Sequence, residues 1–442
     1  MVRLRRAAKT AGHPSPMSEG TEEPALPRAS AAEGTSNVPS ERAIVFLVGA
    51  VQFINILDFM MVMPLGPDFA ASLGIPTSHL GWIGASYTAA ASVSGLVGSL
   101  FLDRFDRRSA LAVAMIGLVV GTAAGGLATG LVTLMAARVV AGAFGGPATS
   151  VSLSIIADVV PVERRGKAMG AVMGAFSAAS VLGVPAGLVL SQKGGWRAPF
   201  FSVAALGLLV TGLAMWAMPR MRGHLKERAA RGRAGGAGGT LDMLRKPVVL
   251  LALAAPVTMM MSVFSMVPNL ATYFQYNAGY PRERLPLLYL VGGALSFFVL
   301  RGVGVLVDRF GAPKVSAVGS LVYVGLMYFG FIQREPAIPV MALFVTFMMS
   351  GNFRQVSMST TSSRVPSPEE RARFMSIQSA VQHMASAVAA AAASGILVER
   401  DDHSLGRMPI VAVGSAVFAC VLPLLLWQID RRLPRKVASK PG

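Results

Sequence analysis

Long apolar segments separated by short polar connections dominate the chain after residue 42. Twelve such segments can be drawn, and each is close to or above the roughly 20 residues that a helix needs to cross a bilayer. The pattern therefore predicts an all-α membrane protein with twelve transmembrane helices. The predicted bounds are 43–67, 79–102, 109–130, 132–159, 167–191, 197–218, 248–276, 285–307, 314–332, 337–363, 372–398 and 407–429.

Two polar stretches interrupt or precede this series. The first stretch is rich in Pro, Ser, Ala and Glu, and no apolar run follows its arginines directly, which argues against a signal peptide and predicts disorder. The second is basic and Gly-rich, as expected of a flexible linker. The predicted organisation is a tail at 1–41, a six-helix half at 42–218, a linker at 219–247, a second six-helix half at 248–430 and a tail at 431–442.

Composition supports a membrane protein. Hydrophobic residues make up 53% of the chain and charged residues only 14%, whereas soluble domains carry roughly 25% charged residues. The mean hydropathy is +0.57. These values exclude an ordinary soluble enzyme, and they exclude a chain that is disordered throughout.

The distribution of positive charge predicts the orientation. The net charge is +18, and 30 of the 40 Lys and Arg residues lie in the tails and in the connections of one side, against seven on the other. Cytoplasmic loops collect Lys and Arg, so both termini are predicted to be cytoplasmic, with the protein in the cell (inner) membrane. Topology accounts for the basic excess, and no nucleic-acid partner is expected.

An internal repeat relates the two halves. A shift of about 205 residues superposes equivalent connections, and such symmetry is typical of transporters whose substrate path runs between the halves. The first set of matches places Phe69, Gly74, Pro76 and Leu80 on Phe274, Gly279, Pro281 and Leu285. The second places Asp103, Arg104 and Phe105 on Asp308, Arg309 and Phe310.

The turn after the second helix of each half carries a specific motif. The pattern G-x-x-x-D-R-x-G-x-R/K-R/K is matched by the copy from Gly304 to Lys314, while the first copy has Ser99 and Asp106 at the two glycine positions. On these motifs the chain resembles the major facilitator superfamily over residues 42–430. The resemblance implies a secondary transporter with two pseudo-symmetric six-helix halves.

The charges of this motif suggest a gate. An aspartate at a helix end accepts hydrogen bonds from a neighbouring helix N-terminus and pairs with arginines, so the cluster can hold one conformation and break in another. The alternative is that the arginines only fix topology. A further arginine, Arg301, lies seven residues or two helical turns before Asp308 and is expected to form a gating ion pair. The predicted gating charges are Asp103, Arg104, Arg107, Arg108, Arg301, Asp308 and Arg309.

Helices four and five add motifs of the same superfamily. Arg138 begins an R-x-x-x-G pattern that marks many proton-coupled members. Helix five keeps a G-x8-G spacing but delays its proline by one residue, and with the following GWRAPF it resembles the sugar-efflux and drug-efflux branch. Glycine and proline here permit close helix contact and bending. Gly183, Pro185 and Gly187 are therefore added to the predicted gate.

Few ionisable residues lie deep in the apolar segments. Asp58 is about 16 Å from the outer end of helix one, and Arg138 is about 6 Å shallower, within reach of a guanidinium. A buried carboxylate beside an arginine is a workable proton carrier, and the alternative is a purely structural ion pair. His383 is a second candidate for proton coupling because histidine titrates near neutral pH.

The predicted substrate is small and amphipathic or drug-like. The chain has 25 methionines and only 7% aromatic residues, and methionine suits adaptable apolar sites, whereas sugar sites favour stacked aromatics. Methionine as lipid-facing filler is the alternative, as are a sugar or metabolite exporter and a symporter. Arg354 is expected to attract an anionic group. The predicted cavity residues are Gln52, Asn55, Met61, Met266, Asn269, Asn352, Arg354, Gln355 and Gln382.

Several functions are not expected. No phosphate-binding loop of the G-x4-G-K-S/T type is present, and no His/Cys cluster has metal-ligand spacing. The single cysteine, Cys420, cannot form an internal disulfide. We expect no enzyme activity, cofactor or metal, and a monomer that uses a small-molecule substrate, protons and the lipid bilayer. The predicted function is proton-coupled efflux by alternating access. A non-transporting membrane sensor is a remote alternative, because neither tail nor linker is long enough for a folded soluble domain.

Overall fold

The computed structural model describes residues 40–219, 221, 242–333, 338–367 and 370–433. Residues 1–39 of the predicted disordered tail, most of the predicted linker and residues 434–442 of the predicted C-terminal tail lie outside the described residues. Nearly all of the described chain is helical, apart from one two-stranded hairpin of Val398–Glu399 with Leu405–Gly406.

The first part of the chain forms eight α-helices that build six membrane-crossing units. The first unit is α1 followed by the short α2, and the fifth is α6 and α7 joined through a π-helical turn at Ala179–Gly183. The bounds are α1 Glu41–Val62, α2 Gly66–Leu73, α3 Leu80–Phe101, α4 Arg107–Gly126, α5 Leu131–Val159, α6 Val162–Ala178, α7 Val184–Gly194 and α8 Arg197–Ala217.

The second part repeats this arrangement with seven α-helices. The seventh crossing unit is broken between α9 and α10 and ends in a π-helical turn, and the ninth ends in another. The bounds are α9 Pro247–Phe264, α10 Val267–Thr272, α11 Leu285–Phe310, α12 Ala312–Met327, α13 Val340–Ser362, α14 Arg371–Ile396 and α15 Met408–Arg432.

Nine helical segments of the described chain are long and apolar enough to cross a membrane. Apart from the short α2, the described α-helices outside those nine are α3, α13 and α14, which have 22, 23 and 26 residues and are therefore long enough. Their composition is more polar. Two of them, α3 and α14, pack along each other and bring the first half against the second.

Local sequence explains several helix ends. Ser40 caps α1 by accepting a hydrogen bond from the Ala43 amide at 3.3 Å. Gly311 separates α11 from α12 at φ +88°, a left-handed conformation that favours glycine. At the start of α14, Lys246 donates to Glu370 at 2.6 Å. This hydrogen bond to Lys246 holds the pKa of the Glu370 carboxyl below its usual value.

The two halves meet most closely where α3 runs beside α14. A side chain added at Gly81 would lie 2.5 Å from the Ala390 carbonyl oxygen, so the helix backbones approach directly there. Farther along, the Ser92 hydroxyl donates to the Ala380 carbonyl oxygen at 2.8 Å. Small residues allow this packing, as is common between membrane helices.

Two ends of the bundle are distinguished below. The basic end is the one where α1 begins and α15 ends, and its connections carry most of the Lys and Arg residues. The opposite end carries the connections between α2 and α3, between α10 and α11, and between α14 and α15.

Candidate functional site

A buried ion pair joins α1 to α5. The Arg138 guanidinium donates to both carboxylate oxygens of Asp58, from Nη1 to Oδ1 and from Nη2 to Oδ2, each at 3.0 Å. The two residues are 1% and 0% exposed. Bidentate arginine–carboxylate contacts of this kind are short, strong and fixed in geometry.

Neutral side chains complete the surroundings of this pair. The Thr122 hydroxyl on α4 donates to Asp58 Oδ1 at 2.6 Å. The Tyr87 ring on α3 lies 4.5 Å from the Arg138 guanidinium carbon, a cation–π contact. Tyr87 in turn donates its hydroxyl to Asn55 Oδ1 at 3.0 Å. The pair is therefore held by four helices of the first half.

Asn55 anchors this network to α5. Its amide Nδ2 donates to the Thr149 hydroxyl at 2.7 Å and to the Gly145 carbonyl oxygen at 3.0 Å. Any Cβ at Gly145 would press on the Asn55 and Tyr87 side chains, so the absence of a side chain there makes room for the hydrogen bonds. Sequence reasoning placed Asn55 in a substrate cavity, whereas the structure gives it partners inside the first half.

Chemically, the two buried charges of this pair compensate each other. Burying an unpaired charge costs several kcal/mol, so Asp58 and Arg138 each need the other in the apolar interior. Such a pair between helices is rare in an apolar environment.

The ion pair lies next to an aromatic contact between α1 and α9, which we call the crossing. Phe59 follows Asp58 in the sequence, and its ring contacts the Phe264 ring at a centroid distance of 5.9 Å. Phe59 also contacts Tyr87 at 5.2 Å. The acidic site of the first half thus reaches the second half through one aromatic contact.

Arg354 is the buried arginine of the second half. It is fully buried on α13, its Nη1 donates to the Ser262 hydroxyl at 2.8 Å, and its guanidinium carbon lies 3.9 Å from the centre of the Tyr323 ring. Tyr323 and Ser415 hydroxyls both donate to the Ser262 carbonyl oxygen, at 2.9 and 2.6 Å. Within the described residues, no carboxylate contacts this guanidinium, and its Nε and Nη2 have no hydrogen-bond partner.

The other predicted cavity residues occupy varied surroundings. Gln52 and Asn269 are buried, and the side-chain oxygen of each lacks a partner among the described residues. Asn352 donates to the Ser296 carbonyl oxygen at 3.2 Å. Met61 and Met266 are buried in the apolar core, while Gln355 and Gln382 are half-buried. His383 Nδ1 lies 2.9 Å from the Ser379 carbonyl oxygen one turn earlier in α14.

The first copy of the gating motif uses Asp106 as a helix cap. Its carboxylate accepts from the Arg108 amide at 2.9 Å and starts α4 with a φ of −57°, so this turn has no need of the motif's glycine. Arg107 pairs with Asp158 at 3.2 Å, and Arg108 donates to the Met215 carbonyl oxygen. Arg104 is exposed. The side chain of Asp103 is outside the described residues.

The second copy differs from expectation at Arg301. We expected an ion pair between Arg301 and Asp308, but the Arg301 guanidinium lies over the Phe297 ring, 4.2 Å from its centre, and no ion pair joins these two described residues. Stacking over the residue one turn earlier satisfies the cation without a carboxylate. Arg309 stacks on Phe310 at 5.3 Å, and Asp308 is exposed.

The glycine and proline of helix five mark a change in helix geometry. The π-helical turn Ala179–Gly183 ends directly before α7, and Pro185 occupies the first turn of α7, where its missing N–H is tolerated. Gly183 packs against the Leu57 side chain on α1, and a Cβ there would lie 2.6 Å from it. Gly187 faces Met61.

Polar contacts between the halves occur at the opposite end. Arg282 Nε donates to Asp68 Oδ1 at 2.5 Å, and the Ser191 hydroxyl donates to Asp68 Oδ2 at 2.7 Å. Gln192 donates to the Arg282 carbonyl oxygen at 3.0 Å. Sequence reasoning missed this set, because each residue lies in a short connection or at a helix end without a motif.

The two-stranded hairpin between α14 and α15 adds a second contact at the opposite end. The Thr77 amide donates to Glu399 Oε2 at 2.9 Å, and His403 Nδ1 lies 2.6 Å from Glu399 Oε1. We call these contacts, together with those of Asp68, Arg282, Ser191 and Gln192, the opposite-end latch.

This architecture defines a multi-pass helical membrane protein with a buried ionic site. The sequence profile of the Major Facilitator Superfamily matches residues 48–390. The chain belongs to this superfamily, which makes it a transporter rather than an enzyme.

Individual relatives are more distant. A chloramphenicol resistance protein of Streptomyces lividans is 27% identical over 309 residues, which cover 69% of this chain and 76% of the relative. A purine ribonucleoside efflux pump, NepI, of Escherichia coli O6:K15:H31 (strain 536 / UPEC) is 26% identical over 291 residues, covering 63% and 69%.

Solved structures share the fold. The crystal structure of a D-xylose–proton symporter superposes with a TM-score of 0.71 at 16% identity, covering 88% of this chain and 97% of that chain. A bacterial homologue of the human lysosomal transporter Spinster, in an inward-facing conformation, gives 0.71 at 15% identity, covering 90% and 98%. These similarities establish the major facilitator fold.

Proposed function

We propose that this transporter exports small uncharged or amphipathic compounds in exchange for protons. The observation that carries the proposal is the fully buried, bidentate Asp58–Arg138 pair. The basic end would face the cytoplasm of a bacterial inner membrane, in line with the excess of Lys and Arg in its connections. The protein would work as a monomer, with its path between the six-helix halves 42–218 and 248–430.

Proton exchange would use Asp58 as the carrier. With Asp58 ionised, Arg138 is neutralised and the site holds no proton. Protonation removes the counter-charge of Arg138 and frees the guanidinium, whose contact with Tyr87 keeps it near α3. The helices around Asp58 would therefore prefer one packing when Asp58 is ionised and another when it is protonated. This difference would couple proton binding to the conformational change of transport.

Alternating access would depend on the opposite-end latch. Its contacts hold the two halves together away from the basic end. Opening of the bundle at the opposite end requires these hydrogen bonds to break. Protonation of Asp58 and the latch contacts would therefore act on the same conformational equilibrium. The arginines of the two gating motifs would act at the basic end, where Arg107 pairs with Asp158.

The names of the relatives support the substrate class. One relative is a chloramphenicol resistance protein and several are purine ribonucleoside efflux pumps. Both names refer to polar molecules with a ring system and no fixed charge. The half-buried Gln355 and Gln382, with buried Met61 and Met266, offer amide and adaptable apolar contacts for such molecules. Purine ribonucleoside export is therefore the second candidate activity.

Proton movement in inside-out vesicles tests the proposal. We expect chloramphenicol or a purine ribonucleoside to dissipate an imposed pH gradient in vesicles that contain the wild-type protein. Asp58→Asn should abolish this response, because the amide keeps the shape and an acceptor oxygen for Arg138 but cannot release a proton at neutral pH. Size-exclusion elution of the purified variant checks that it is folded.

Two variants serve as controls. Asp430→Asn removes a carboxylate of similar size that pairs with Arg364 at the protein surface, and it should leave the response unchanged. His383→Gln tests the other candidate for coupling, whose imidazole contacts only the Ser379 carbonyl oxygen among the described polar groups. Undiminished proton-driven export by Asp58→Asn would refute the proposal. Loss of proton-driven export in His383→Gln alone would indicate that the proton is carried by His383 on α14.

A further inference from the structure

Each half carries a buried arginine on the fourth of its six membrane-crossing units, and each arginine lies over a tyrosine ring. We call each arginine with the side chains that bind it a module. In the first half, an arginine on α5 lies over a tyrosine ring and binds Asp58 on α1. In the second half, Arg354 on α13 lies over the Tyr323 ring and binds Ser262 on α9. Asp58 and Ser262 fall within one residue of each other under the 205-residue repeat. A serine thus stands where the first half has its carboxylate.

This difference leaves the deep interior with an excess positive charge. The fully buried charged side chains of the described residues are Asp58, Arg138 and Arg354. The first two neutralise each other, and Arg354 has only hydroxyl and aromatic partners. Its Nε and Nη2 nitrogens have no hydrogen-bond partner among the described residues, so the hydroxyl alone does not satisfy the guanidinium. Protonation of Asp58 adds a second uncompensated charge.

The excess charge lies beside the crossing of the halves. Ser262 is two residues before Phe264, and Phe264 contacts Phe59, the neighbour of Asp58. The Asp58 module thus lies on the α1 side of this contact, and the Arg354 module lies across α9, on the side where Ser262 binds Tyr323 and Ser415. Charge acts over longer distances in an apolar interior than in water, so both modules influence a molecule that passes there.

We infer that Arg354 is a charge filter, which admits compounds without a positive charge and excludes organic cations. The inference rests on the proposed path between the halves and deepens the proposed function by naming its substrate class. A cation at the crossing meets Arg354 without a neutralising acid, and after proton uptake it also meets Arg138. An uncharged ring compound meets no such repulsion, and an anion is attracted.

Other charged groups on the helices of the bundle do not cancel the filter. Arg301 on α11 lies over Phe297 and is itself positive. His383 on α14 is neutral or positive. Asp68, Glu399 and the remaining partners of the opposite-end latch lie at the end of the bundle, and Asp68 and Glu399 are already bound to Arg282 and to Thr77 and His403.

Reagents that differ in charge measure the filter directly and need no known substrate. Cys420 is the only cysteine, so Cys420→Ser with Phe264→Cys places one thiol at the crossing. Its rates of reaction with the anionic sulfonatoethyl and the cationic trimethylammonioethyl methanethiosulfonates are compared with the rates of a small thiol in solution. We expect the anion-to-cation ratio to exceed the solution ratio by about tenfold or more.

Ser262→Asp supplies the decisive variant. The Ser262 hydroxyl is 2.8 Å from Arg354 Nη1, so an aspartate there can form the ion pair that the first half already has. The reaction ratio should then fall toward the solution value, and tetraphenylphosphonium binding to the purified protein should tighten about tenfold. Ser262→Asn, of the same shape but uncharged, should keep the wild-type ratio.

A second pair of variants covers the case in which Ser262→Asp does not fold. Arg354→Gln should lower the ratio as Ser262→Asp does, whereas Arg354→Lys should preserve it. An unchanged ratio in both charge-altering variants overturns the inference, as does a wild-type ratio equal to that in solution. Failure of the thiol to react with either reagent would place the crossing outside the path and overturn it too. None of these measurements uses a proton gradient, so they stand apart from the Asp58 test.

Discussion

Arg138 takes part in two interactions at once, an ion pair with Asp58 and a cation–π contact with Tyr87. Its cost of burial is offset only while the carboxylate is present. The geometry of the guanidinium matters as well, because a lysine at this position could not bind both carboxylate oxygens while it lies over the ring.

Removing the arginine should destabilise the protein strongly. We expect Arg138→Met to lower the free energy of unfolding by about 3–5 kcal/mol, because it leaves the Asp58 carboxylate buried without a partner. Adding Asp58→Asn to that variant should restore a large part of the loss, since no buried charge then remains. Denaturation of the purified variants in detergent measures both effects. Equal losses in the single and double variants would show that the pair is not coupled.

The residues of the site were only partly predictable. Asp58 and Arg138 attract notice because charges are rare within apolar segments, and their depths put them within reach of each other. Thr122 and Tyr87 gave no such signal, because neutral polar residues are common in helices and their partners depend on how four helices pack. Arg354 was recognisable as a buried charge, but nothing in the sequence showed that Ser262 rather than an acid would face it.

At the scale of elements, the two gating motifs form their turns by different means. The second copy reaches α12 through Gly311 at φ +88°, a conformation that a side chain strains. The first copy begins α4 at Asp106 with an ordinary φ and a carboxylate cap. The same motif position therefore depends on backbone freedom in one half and on a hydrogen bond in the other.

Alanine substitution should have opposite effects on stability at two glycines of the second half, Gly311 and Gly302. Gly311→Ala should destabilise the protein by about 1–2 kcal/mol, because a Cβ is disfavoured at that φ. Gly302→Ala, in the exposed middle of α11 with nothing within 4 Å of a Cβ, should be neutral or stabilising by up to about 1 kcal/mol. Thermal denaturation in detergent separates the two. A stable Gly311→Ala variant would mean that the turn adopts another conformation at no cost.

Helix positions followed closely from hydrophobic patterning, because each bilayer-crossing element needs a long apolar run. The predicted segment 197–218 and the observed α8, Arg197–Ala217, differ by one residue. The interruptions did not follow from the pattern. The break between α9 and α10 and the three π-helical turns leave the chain apolar, so hydropathy carries no trace of them.

For the whole molecule, the opposite-end latch determines how firmly the halves are held on that side. Asp68 is its centre, since it accepts from both Arg282 and Ser191. Symmetry between the halves was predictable from the repeat, but the latch contacts between the halves were not, because they join residues that are 90 or more positions apart and follow no motif.

Weakening the latch should shift the conformational equilibrium. Asp68→Asn removes the charge that binds Arg282, and we expect a larger population with the opposite end open. Spin labels at Ser72→Cys and Asp401→Cys, both exposed, report the separation of the halves by double electron–electron resonance in a Cys420→Ser background. Asp402→Asn, at the same end but bound only to the Ser404 amide, is the matched control. Identical distance distributions in Asp68→Asn and wild type would show that the opposite-end latch does not control the conformational equilibrium.

The direct backbone contact between α3 and α14 has a mechanical consequence. Gly81 lies at one end of α3, and the helix extends from it for about 30 Å toward the basic end. If the contact at Ala390 serves as a fulcrum, α3 is a lever with almost all of its length on one side, and the Ser92–Ala380 hydrogen bond farther along must break as it turns. A rotation of about 10° there would displace the far tip by about 5 Å, so a change of a few tenths of an ångström at the fulcrum becomes an opening wide enough for a small molecule.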